Sequence, residues 1–456
     1  MSRRDLWREL YGRFDPELPA RAEWRAQRPH SPAKKMLETL DRPFGTPRIL
    51  LMGTVGTGKT TELLRVAEER EQRELVVFLD LERHFTNIVK DPNALYRIQA
   101  WEVCFLAGLA LVYQFKERLG FELDPEMVTQ LGKAWHALAE ATKTPTPQLD
   151  LGSFAKEALE LGATLATTGA LGVEAAGAAL ALKGAKTVMG SMRSWTWNLP
   201  VGRSEKAVPD QDRHVQELLA AVNLLIGEVQ QQHRKVLLVI DGLDRIRDLP
   251  RAKALFVESQ LLSQLICPLV VCGPFALRHD VATAGVRGFK ANALVNEPVL
   301  DHGDPSRPGE GVRFFRELYA QRVNDLGHDA LGLVCPALLG ELAYRSGGRA
   351  RDFVRFIRSL AEIAWDQDAS AATPELVKQV LDEWRLRQET GLNTDHIRLL
   401  QEVMKDPEHR LPPGELAHEL LDYQHLLPYP NDSEWYYPHP LLTMHLVRQP
   451  LAGSGD

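Results

Sequence analysis

Apolar residues gather into short unbroken runs over the first three hundred positions and change to helical spacing afterwards. The runs are "RILLM" at 48–52, "ELVVFLDLE" at 74–82, "KVLLVID" at 235–241, "PLVVCGPF" at 268–275 and, more weakly, "NALVNEPVL" at 292–300. The third run does not alternate with polar residues, which suits a strand covered on both faces in the middle of a parallel sheet. Between the runs lie stretches of helical period: "TELLRVAEEREQ" at 61–72, two helices within 93–140, "RHVQELLAAVNLLIGEVQQQH" at 213–233 and one helix over "RAKALFVESQLLSQL" at 251–265. A strand, a helix and a second strand joined tightly predict a parallel pair with a right-handed crossover.

This pattern divides the chain into four segments. Residues 1–45, with Trp7, Tyr11, Phe14 and Trp24 among prolines and arginines and a short helical pattern at 33–40, read as an N-terminal arm packed on the chain beyond it. Residues 46–305 read as an α/β core interrupted by an Ala/Gly-rich insertion at about 145–200. Residues 306–390 read as helical, with Thr373 as N-cap and Pro374 at the first helical position. Residues 391–456 read as two helices and a hairpin turning at Asn431-Asp432, a winged-helix-like set.

Composition adds mostly exclusions. With 456 residues, 44% apolar and 25% charged, the chain is an ordinary globular protein long enough for roughly two to four domains. A net charge of −7 gives no global basic footprint for nucleic acid. Cys104, Cys267, Cys272 and Cys335 form no CxxC pair, which is read as a reducing cytoplasm without structural zinc. The opening "MSRRDLWREL" has no apolar h-region, so no secretory leader is expected.

The candidate chemistry sits at the exit of the first run. "GTVGTGKT" fits G-x-x-x-x-G-K-[ST], with Gly53, Thr54, Val55, Gly56, Thr57, Gly58, Lys59, Thr60 and Thr61 as expected nucleotide-binding positions. Glycines let backbone N–H groups curl around phosphate oxygens, and the following helix adds its positive end. Lys59 would reach the β- and γ-phosphates and Thr60 a Mg²⁺ ion. Asp241, closing the run 235–240, supplies a carboxylate for the same metal. Asp244 is a second carboxylate, read either as a catalytic group or as a helix N-cap. No [NT]-K-x-D guanine signature occurs, so ATP is the expected nucleotide.

"GTVGTGKT" with "LLVIDGLD" downstream resembles the STAND and AAA+-type P-loop ATPases, including their bacterial conflict-system and origin-recognition-like branches. The resemblance implies a P-loop parallel-sheet core, a helical lid and a winged-helix-like end, working as a nucleotide-driven switch. "YRSGGRARDFVRFIRSL" at 344–360 resembles the lid helix that carries an arginine to the γ-phosphate; Arg349 is the first choice and Arg351 the second. Three departures weaken the case for fast hydrolysis. Gly242 stands where the AAA+ pattern has glutamate, the fourth run ends Cys272-Gly273-Pro274 without a polar sensor, and Arg245, Arg247, Arg278 and Arg287 all compete as the finger.

Two segments point outward. Residues 161–182, "LGATLATTGALGVEAAGAALAL", approach bilayer-spanning length with Glu174 as their one charge. They read as small-residue helices packed on the core or a partner, or as a hairpin released onto a membrane. In 391–456, ten Asp/Glu stand against four Lys/Arg, which argues against duplex binding and for a protein-docking role. The expectation is a cytoplasmic, slowly hydrolysing regulatory ATPase acting through self-oligomers or a protein partner. An origin-recognition-like DNA-binding ATPase and a membrane effector are the alternatives.

Overall fold

The computed structural model describes residues 2–141, 208–232, 235–279, 288–430 and 434–448, together with positions 154, 158, 159, 162, 163 and 286. Nearly all of the Ala/Gly-rich segment 161–182, the turn at Asn431-Asp432 and Arg287 lie outside the described residues. The chain divides into two compact units, one made of Met1–Ser31, Thr54–Thr61 and Leu294–Asp456, the other of Pro32–Gly53 and Glu62–Ala293.

The second unit carries the sheet: β1 (Arg48–Gly53), β2 (Glu74–Asp80), β3 (Lys235–Asp241), β4 (Leu269–Gly273) and β5 (Lys290–Leu294), in the order β2-β3-β4-β1-β5. The β2–β3, β3–β4 and β4–β1 pairings are all parallel. Val236 to Ile240 and Leu269 to Cys272 are fully buried, as unbroken apolar runs require. The long helices Ala100–Leu119 and Pro125–Ala141 pack on the helix Arg213–Gln232, whose inward stripe runs Val215, Leu218, Val222, Leu225 and Val229.

Two expectations needed correction here. Residues 251–265 are not one helix but an α-turn (Leu249–Lys253), a π-helical turn (Ala254–Glu258) and a 3₁₀ turn (Leu262–Gln264). Phe256 and Leu265 are both buried. On a regular helix they would lie about two and a half turns apart and face opposite sides. The break brings both into the core. The fifth strand ends at Leu294, short of residue 300, because the backbone of Asn296 and Glu297 is bonded elsewhere: their N–H groups donate to Pro428 O (3.3 Å) and Gly348 O (3.0 Å).

The first unit is helical. Its opening helix, α1 (Arg3–Arg13), is capped by Ser2 and Asp5 and packs on the helix Ala350–Asp366. The start of the arm is thus anchored by a distant stretch of chain, not by its sequence neighbours. Trp7 Nε1 donates to Ala369 O at 2.7 Å, and Arg322 donates to Arg13 O at 2.8 Å. The first unit's core joins Leu6, Trp7, Leu10 and Phe14 with Phe315, Tyr319, Phe353, Ile357 and Val380. Thr373 caps Pro374–Glu389 by accepting from Leu376 N–H. The tail has helices Thr394–Lys405 and Glu415–Asp422 and an antiparallel pair, Leu426–Tyr429 with Trp435–Pro438, closed on Leu400, Val403, Leu420 and Leu442. The whole is a P-loop α/β core with a helical part and a winged-helix-like α+β end.

Candidate functional site

β1 is buried from Ile49 onward, and the chain leaves its C-terminal end through residues 54–58 into a helix that begins at Lys59. Gly56 and Gly58 take φ of +90° and +98°, which only glycine adopts cheaply. Three successive loop carbonyls accept from arginines outside the loop. Val55 O accepts from Arg349 Nη2 (3.0 Å), Gly56 O from Arg351 N–H (3.1 Å) and Thr57 O from Arg28 Nη2 (2.7 Å). In a trans peptide C=O and N–H point opposite ways. Pinning these carbonyls turns the N–H groups of Gly56, Thr57 and Gly58 toward the other side, which is how an anion-binding nest is made.

A fourth loop carbonyl, Thr54 O, accepts from Lys59 Nζ (2.8 Å) and Thr57 Oγ1 (2.9 Å). Lys59 is only 5% exposed. Thr54 Oγ1 is buried and has no hydrogen-bond partner among the described residues. Arg28, from the N-terminal arm, is tied by Nε to Glu297 at 3.0 Å and lies over the Phe314 ring.

Arg349 occupies the N-cap of the helix Ala350–Asp366 without a side-chain cap. A cation there opposes the helix dipole, and the offset comes from Asp352 in the first turn, ion-paired to Nη1. Nη2 also donates to Gln424 Oε1 in the tail. Asp352 faces His439 Nε2 at 3.3 Å, and His439 Nδ1 accepts from Leu441 N–H at 3.2 Å, which assigns the proton to Nε2. Burial pushes the Asp352 carboxyl up, but the Arg349 guanidinium and the His439 hydrogen bond outweigh it and hold it at about 2. Burial lowers His439 and keeps it neutral.

A second cluster forms within the sheet unit. β2 and β3 end in register, with Asp80 opposite Asp241. Burial, reinforced by the Asp241 charge, raises the Asp80 carboxyl to about 7, although it accepts Arg83 N–H at 2.9 Å. Gly242 has φ +96°, and a Cβ there would stand 2.6 Å from Glu82 N. The backbone therefore excludes the glutamate of the AAA+ pattern at this position. Asp244 lies inside a 3₁₀ turn capped by Gly242, so it is not that turn's N-cap. Arg245 is ion-paired with Glu82, and Arg247 and Arg278 are exposed. Among the described residues no group of three or more His, Cys, Asp or Glu is arranged to hold a metal, and no helix is long and apolar enough to cross a membrane.

Sequence reasoning missed Arg28, Asp80, Asp352, Gln424 and His439. Asp80 was readable, since it closes an apolar run as Asp241 does. Asp352 was readable too, three residues after Arg349 in the same first turn, whereas Arg28, Gln424 and His439 meet their partners through long-range contacts that no spacing encodes.

No family model matches the chain, and no curated protein matches it. Similar solved structures include the Aeropyrum pernix ORC1 protein in complex with DNA (14% identity, TM-score 0.37, covering 95% of this chain and 93% of that one). The Aeropyrum pernix ORC2 protein in its ADP form is similar at 12% identity and TM-score 0.41, covering 94% and 93%. Drosophila ORC bound to DNA is similar at 11% identity and TM-score 0.38, covering 95% and 89%. With every TM-score below 0.5 these likenesses transfer no residue role to this chain.

Proposed function

We propose that the chain is an ATP-binding regulatory switch with slow turnover, holding the triphosphate on residues 53–61 and passing its nucleotide state to a protein partner or a second copy. One observation carries the reading: the loop between β1 and its helix has its carbonyls of Val55, Gly56 and Thr57 held by Arg349, Arg351 and Arg28, leaving the intervening amides turned the other way. The buried, unpartnered Thr54 Oγ1 supports a missing polar ligand at the same place.

Thr60 and Asp241 are the residues that would hold Mg²⁺, a hard-oxygen pair that suits an ion keeping waters and phosphate oxygens in its shell. Bound there, the ion would neutralise charge on the phosphates. Lys59 gives its ammonium to the phosphates when it leaves Thr54 O, and the N-terminus of its helix adds a favourable field. Arg349 is the γ-phosphate-sensing candidate. Asp244 is the carboxylate available to orient water, since Gly242 offers no general base beside Asp241. That shortage supports slow turnover.

Acid extraction of the purified protein followed by nucleotide chromatography tests the reading. The wild type should carry adenine nucleotide or take it up with Mg²⁺, and Lys59→Ala should weaken uptake about a hundredfold. Wild-type protein that takes up no nucleotide at millimolar Mg·ATP overturns it.

A further inference from the structure

The tail and the phosphate loop converge on a single buried side chain. Arg349 is 3% exposed; Nη1 is ion-paired with Asp352, Nη2 donates to Val55 O and Gln424 Oε1, and Nε is buried with no hydrogen-bond partner among the described residues. Gln424 lies just past the tail's second helix, and its own carbonyl accepts from Gln388 Nε2 at 3.1 Å. The other anchor, Asp352, is itself held by His439, whose backbone N–H donates to His425 O at 2.8 Å. Two separate stretches of the tail thus bear on one guanidinium, one directly and one through a carboxylate.

We propose that the tail and a bound triphosphate compete for Arg349, with Gln424 and the Asp352–His439 pair acting as positioning residues that decide when the guanidinium is free to turn to a phosphate. This rests on the nucleotide reading of the loop. A phosphate oxygen is a stronger acceptor than an amide oxygen, so the γ-phosphate draws Nη2 from both Gln424 Oε1 and Val55 O, while Arg351 and Arg28 keep their bonds to Gly56 O and Thr57 O. Coupling of this kind is reciprocal: whatever loosens Gln424 tightens the triphosphate, and the triphosphate loosens the tail. A diphosphate, lacking the γ-group, leaves the contact in place. The tail then reports which nucleotide is bound, with no contact of its own to the ligand.

The test is equilibrium binding of ATP and ADP to the full chain and to Gln424→Leu and Gln424→Asn. Gln424 has φ +64°, a conformation asparagine accepts, so Gln424→Asn keeps the turn while its amide falls one methylene short. Both variants should bind ATP about tenfold more tightly and ADP unchanged. In an Arg349→Ala background the gain should vanish. Mg·ATP, but not Mg·ADP, should speed amide hydrogen exchange in residues 415–429 of the wild type. ATP and ADP shifting together, neither shifting, or a gain that survives Arg349→Ala overturns the coupling alone. A wild type that binds no nucleotide overturns the loop's reading and the coupling with it.

Discussion

The phosphate loop and the carboxylate edge carry opposite charge and are stabilised in opposite ways. Around the loop, Arg28, Lys59 and Arg349 are all buried, and each cation donates to a loop carbonyl, two of them also pairing with Glu297 or Asp352. At the edge, Asp80 faces Asp241 across adjacent strands and its carboxyl is pushed up to about 7. The cationic cluster is neutralised by its own surroundings. At the acidic one, burial and the facing Asp241 carboxylate both favour the protonated form of Asp80.

Breaking the cationic side should have the largest effect. Asp352→Asn removes one partner of a buried pair and should cost about 3 kcal/mol in chemical denaturation at neutral pH. The sign with pH is fixed: a carboxyl held at about 2 when folded, against 3.8 ordinarily, contributes stability that is complete above pH 3.8 and is lost as pH falls toward 2. Acid titration by circular dichroism should therefore show a limb in the wild type, worth about 2 kcal/mol, that the variant lacks.

On the acidic side, Gly242→Glu should fail to install a working base. A side chain at positive φ, pressed against the Glu82 backbone, should destabilise by roughly 2 kcal/mol, and turnover should not rise. Added ATPase activity in a stable variant would show that the edge tolerates the residue its geometry excludes. The smallest effect concerns the Asp80 proton. Carbon-13 titration of metal-free protein should place Asp80 near 7, and Asp241→Asn should lower it without restoring the ordinary value, because burial is the larger cause.

What the sequence discloses about these two clusters differs for a physical reason. The loop is contiguous, so its glycines, lysine and threonines can be read from eight neighbouring letters, and Asp241 stands at the end of a run that must be a central strand. Arg349 is visible only through the likeness of its segment, 344–360, to a lid helix. The contacts that position Arg349 are another matter. Gln424 and His439 lie 75 and 90 residues from it in sequence, and a glutamine after a short acidic helix carries no local sign of a buried partner. Arg28 is similarly silent, one arginine among several in a proline-rich arm. The π-helical break at Ala254–Glu258 was hidden because burial of both Phe256 and Leu265, not propensity, dictates it.

The pairing of α1 with the helix Ala350–Asp366 bears on how this chain is made. The Trp7 indole waits for a carbonyl 362 residues further along, so this early segment leaves the ribosome without its binding surface while the middle of the chain assembles. Closing so long a loop is slow, and the apolar stripe Leu6, Trp7 and Leu10 of an otherwise charged helix is exposed meanwhile. Fusions or tags placed against this helix would burden that late docking step, and chaperone dependence during synthesis is the expected trait.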